Sequence, residues 1–166
     1  MGGIMATASV EGWFERARKH AAPGNLAVVR EDGQCLVLPA LAKDSVRPEM
    51  IAAVERLLPP AKKRNVAIIG DTSWASSGAP SLQAANAAIP FFGLLMGFAT
   101  IGHAVWVFNG AGDSLTAGCR EADVLIVDSA SVAALPVGWQ TDVRSVMRIP
   151  KIWIHDRASY KLLPQE

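Results

Sequence analysis

The chain has 166 residues, of which 51% are hydrophobic and 19% charged. That length suits one domain with its own core, since single domains span about 100–200 residues, and the apolar content excludes a disordered chain. A net charge of +1 gives no overall pull toward nucleic acid or acidic lipid.

Residues 1–8 read as a loose tail, and residues 1–166 as a single domain. The start, MGGIMATASVEGW, lacks a basic stretch followed by a long apolar one, so a cytoplasmic protein is expected. Cys35 and Cys119 are too few and too far apart for a disulfide framework, and both read as packing residues. Val10–His20 has an amphipathic pattern, with Trp13, Phe14 and Ala17 inward and Arg16, Arg18 and Lys19 outward. Pro23-Gly24 ends that helix. Leu26–Arg30 and Cys35–Leu38 flank Asp32-Gly33, a hairpin signal, because glycine accepts the positive φ of a tight turn. Pro48–Leu58 reads as a helix stopped by Pro59-Pro60. The basic run Lys62-Lys63-Arg64 precedes a strand, away from any ligand edge, and reads as solubilising.

No charged residue lies between Asp71 and Asp113. Ile89–Phe108 has the length of a membrane span. Pro90, Gly93, Gly97, Gly102 and His103 interrupt it, however, and no basic flank anchors it. The expected reading is a buried helix, Ala84–Thr100, then a central strand, Ala104–Phe108, with no membrane crossing.

From Val66–Gly70 onward, apolar strands alternate with helical stretches. The strands continue with Ala104–Phe108, Val124–Asp128 and Lys151–His155; helices are expected near Ser114–Arg120 and Trp139–Met147. Continuous apolar strands are those of a parallel sheet covered on both faces. The expected fold is therefore α/β: a three-layer, Rossmann-like domain with a mainly parallel sheet and an added N-terminal β-hairpin.

Ligands of such sheets sit outside the carboxyl ends of the strands. The residues there are Asp71, Thr72 and Ser73, then Ser76-Ser77-Gly78; Asn109 and Gly110; Asp128 and Ser129; and His155, Asp156 and Arg157. Asp71, Thr72, Ser73, Asn109, Gly110, Asp128, Ser129 and Asp156 are the expected ligand-binding residues. His155, Asp128 and Asp71 are the candidate catalytic ones, with His155 moving protons. Asp71 and Asp128 lack metal-ligand spacing, so no metal is expected, and no cofactor is assigned. His103, at the opposite edge, reads as structural. No GxxxxGK[ST], GxGxxG or GxSxG is present.

The succession GHAVWVF, helix, CREADVLIVD, helix, PKIWIHD resembles nucleoside deoxyribosyltransferase-like proteins and their TIR-like relatives over about residues 66–156. The resemblance implies nucleoside N-glycosidic chemistry, with an Ala-Asp pair opening a strand and a catalytic Glu on the following helix. Ala122-Asp123 matches the pair; the helix after it holds Gln140 and Asp142 and no Glu.

Helix Ala84–Thr100 is apolar nearly all round. Ala85, Ile89, Gly93 and Gly97 make a small-residue row. A homodimer is expected through the surface around Phe91, Gly93, Leu94, Gly97 and Phe98. The function expected is binding of a small nucleotide- or nucleoside-like ligand at the sheet edge. Two alternatives are an N-glycosidic hydrolase or transferase acting there and a non-catalytic interaction protein using the apolar helix. No nucleic-acid partner is expected.

Overall fold

Four five-residue stretches bury nearly every side chain: β1 (Asn25–Val29), β3 (Asn65–Ile69), β4 (Ala104–Phe108) and β5 (Val124–Asp128). Apolar on both faces, they form the parallel centre of a seven-stranded sheet. The computed structural model describes residues 9–76, 83 and 92–166. Its sheet order is β2-β1-β4-β3-β5-β6-β7, where β2 is Cys35–Pro39, β6 is Lys151–Asp156 and β7 is Lys161–Gln165. The strands from β1 to β6 in that order pair parallel; β2 and β7 close the two edges antiparallel. The expected α/β sheet with an N-terminal hairpin is present. Strand β7 is a second hairpin partner, across β6, that the sequence pattern did not announce.

The helices divide between the faces. Helix α2 (Pro48–Leu57) and α3 (Phe92–Thr100) contribute Val54, Leu95, Met96 and Phe98 to one core. Helices α1 (Val10–His20), α4 (Ser114–Cys119) and α6 (Trp139–Arg144) contribute Phe14, Leu115, Cys119, Trp139 and Val143 to the other. A one-turn helix, α5 (Ser129–Val132), follows β5 directly. Alternating side chains of one strand serve both cores: Val105 and Val107 face α3, whereas Trp106 and Phe108 face α1 and α4.

Local chemistry explains several joins. Ser9 caps α1 by accepting from the Gly12 amide at 3.1 Å. Gly33, in the hairpin turn, has φ 87°, and a side chain there would strike the Trp13 indole. At the opposite sheet edge, the buried His103 ring ties two chain segments together. Its Nδ1 accepts from the Arg64 amide at 3.0 Å and its Nε2 lies 3.0 Å from the Leu58 carbonyl. Asp123 does similar work there, accepting from the Asn65 amide at 2.8 Å. The Ala-Asp pair thus sits where β3 and β5 begin.

Two residues of the row expected to admit a second copy, Gly93 and Gly97, lie against α2 of the same chain. A Cβ on Gly97 would lie 3.0 Å from Val54, and one on Gly93 3.2 Å from Met50. Leu94 is half-buried and Phe98 buried. Phe91, Ala85, Ile89 and the rest of the expected helix before Phe92 lie outside the described residues, as do Ser77, Gly78 and the 1–8 tail. Among the described residues, no helix is long and apolar enough to cross a membrane.

Candidate functional site

The chain leaves β3 toward α3 on one face, and leaves its neighbours β4 and β5 toward α4 and α6 on the other. The carboxyl end of β3 is therefore flanked by switch points on both sides, where crevices open in such sheets. The loop after β3 carries Asp71, Thr72 and Ser73; its flanks carry Asn109-Gly110 and Asp128-Ser129. The expected residues are thus gathered along one edge.

Most of their polar side chains, however, are engaged in local turns and with neighbouring side chains. The Asp71 carboxylate accepts from the Ser73 amide at 2.9 Å and the Ser73 hydroxyl at 3.0 Å, closing a turn. Asn109 donates to Glu31 at 3.2 Å and accepts from the Ala111 amide at 3.0 Å. Gly110 is packed: φ is 75°, and a side chain would meet Ile69 at 3.1 Å. Asp156 pins the β6–β7 turn, accepting from the Ala158 amide at 3.2 Å and the Ser159 hydroxyl at 2.7 Å. Thr72 is buried, and among the described residues its hydroxyl has no hydrogen-bond partner.

Asp128 is 1% exposed and meets the Arg157 guanidinium. Nη2 donates to Oδ2 at 2.6 Å and Nε lies 3.0 Å from both carboxylate oxygens. The Arg157 amide also donates to the Ser129 hydroxyl at 3.1 Å. The hydrogen bonds and charge of Asp128, with Asp71 adding to the field, hold the guanidinium above the ordinary arginine range. Among the described residues no cluster of three or more metal-ligating side chains occurs.

His155, the register partner of Asp128 on β6, faces the α2–α3 side of the sheet. Burial holds its imidazole below the ordinary histidine range; Asp128 opposes that shift and Arg157 adds to it. His155 lines a cleft of about 810 Å³ between α2, the start of α3 and the β6–β7 hairpin. Arg47, Met50, Ala53 and Arg56, from α2 and the residue before it, form one wall. Phe92 and Leu94 supply apolar surface, and Tyr160, Lys161 and Leu162 stand opposite.

The electrostatics of this cleft are one-sided. Arg47, Arg56 and Lys161 line it, whereas no Asp or Glu does among the described residues. None of these three cations forms an ion pair among the described residues. Of the expected ligand-binding and catalytic residues, His155 lines this cleft, and so do Gly93 and Leu94 of the expected self-association surface. Arg47, Arg56, Tyr160 and Lys161 were not expected there, because they come from a helix flank and from a strand whose pairing had not been foreseen. Comparison with protein-family models, with curated proteins and with solved structures yields no match in any of the three.

Proposed function

We propose that the chain binds a small organic anion in the cleft between α2 and the β6–β7 hairpin. The observation that supports this reading is the charge imbalance: three cations without ion-pair partners among the described residues, around one concavity with an apolar floor. Like charges facing a cleft repel one another and concentrate counter-ions there. Met50, Phe92, Leu94 and Leu162 offer apolar contact for the body of such a molecule. The small-ligand function expected from the sequence is retained, and its place moves from the strand-end loops to the sheet face reached by His155. A glycosidic enzyme needs a carboxylate beside the sugar, whereas Asp71, Asp128 and Asp156 are committed to turns and to Arg157.

The test is a melting-point series at low ionic strength with phenyl phosphate, with a benzoate salt and with uncharged phenol. Phenyl phosphate should raise the melting point of the native chain, as any ligand of the folded state does. Phenol should raise it far less, and the Arg47→Ala/Arg56→Ala/Lys161→Ala variant should lose the response. An equal response from the native chain and the variant would refute the reading.

A further inference from the structure

We propose that the organic anion taken by this cleft carries a planar aromatic ring, stacked on Tyr160. The inference rests on the cleft reading above and narrows it to a ligand class: aryl phosphates and related aromatic acids.

Tyr160 is the only tyrosine of the chain and is 73% exposed, although it lines the cleft. Its φ is 57°, in the left-handed region. A bulky side chain is uncommon there and glycine is the residue that fits without cost. The hairpin nevertheless places an aromatic ring at this position and holds it firmly. The Tyr160 amide donates to the Asp156 carbonyl at 2.7 Å. The Asp156 carboxylate ties down Ala158 and Ser159, and Arg157 is clamped on Asp128. Each residue of the turn is thus anchored, so the Tyr160 backbone has little freedom to relax.

The ring makes a T-shaped pair with His155, with centroids 6.3 Å apart and planes 71° from parallel. In a T-shaped pair one ring is met by the other's edge, so a further ring face stays available for offset stacking. Lys161 follows Tyr160 directly, and Arg47 and Arg56 face it across the cleft. A ligand that stacks its ring on Tyr160 therefore brings an acidic substituent within the field of these cations. A saturated ring of the same size would gain the charge contact and lose the stacking.

The experiment titrates the native chain and its variants with phenyl phosphate and cyclohexyl phosphate, which match in charge and closely in size, following amide chemical shifts by NMR. Phenyl phosphate should bind about three- to tenfold more tightly, the range of an aromatic pair. Tyr160→Phe should keep that preference, whereas Tyr160→Leu and Tyr160→Gly should abolish it, so that the two phosphates bind alike. Equal binding of the two phosphates to the native chain, or a preference that survives Tyr160→Gly, would overturn the inference and leave the cleft reading standing. Absence of binding by either phosphate would overturn both.

Discussion

The Asp128 carboxylate and the Arg157 guanidinium join the ends of β5 and the β6–β7 turn through a 2.6 Å contact, with the acid buried and the base 44% exposed at its side chain. Removing the base strands a buried charge, whereas removing the acid leaves a base that water can reach. Breaking a buried pair from one side costs about 3–5 kcal/mol, and the exposure of Arg157 reduces this to roughly 2 kcal/mol by screening. Arg157→Ala should therefore destabilise the chain by about that amount, and Asp128→Asn by roughly half of it. Urea unfolding measures both; an Asp128→Asn loss exceeding that of Arg157→Ala would contradict this account.

The same pair explains what was legible in the sequence and what was not. Asp128, Asp71 and the polar strand ends were visible as a group, because apolar strands ending in Asp, Ser and Asn mark the carboxyl edge of a parallel sheet. Their engagement was not visible. It depends on Arg157 turning back over β5, which requires the β6–β7 hairpin. Strand β7 reads Lys161–Gln165 with Pro164 inside it, a composition that argues against a central strand. It is an edge strand, where proline is tolerated, so its register against β6 brings Tyr160 and Lys161 to the cleft unannounced. The central strands and the Asp32-Gly33 hairpin were legible because their signals are local. The order of the strands is set by packing between distant segments and leaves no local signature.

Gly97 provides a test of helix packing. Its missing side chain lets Val54 approach. Gly97→Leu should cost about 1–3 kcal/mol through overpacking, with partial recovery when Val54→Ala is added. Gly93 faces the flexible end of Met50, so Gly93→Ala should cost less. The loss should be independent of protein concentration between micromolar and hundred-micromolar in chemical denaturation. A concentration-dependent loss would assign the glycine row to a contact between copies.

Acid should destabilise the fold through histidine. Burial holds both His103 and His155 below the ordinary histidine range. The unfolded chain, with ordinary histidines, therefore takes up protons at a higher pH than the folded one does. Stability is complete above about pH 7 and falls as the pH drops through roughly 6.5, the ordinary histidine value. His103→Gln can still accept from Arg64 and donate to Leu58 but does not titrate, so it should flatten the profile. Unfolding free energies at pH 8, 6.5 and 5 check this, and an unchanged slope in His103→Gln would contradict the role of that ring.

Tyr160 should reveal the strain of its backbone. Glycine adopts its φ of 57° at no steric cost, so Tyr160→Gly should leave stability unchanged or raise it by roughly 0.5–1 kcal/mol. Thermal unfolding measures the change. A loss greater than about 1 kcal/mol would show that the ring serves the fold more than the cleft.

Amide chemical shifts of the native chain during a phenyl phosphate titration at low salt test the central claim most directly. The perturbed amides should cluster on Arg47, Met50 and Arg56 of α2, the start of α3, and His155, Tyr160 and Lys161 of the hairpin, and added salt should weaken the response. Perturbations confined to the strand-end loops around Asp71, Asn109 and Ser129, or no perturbation at millimolar ligand, would contradict it.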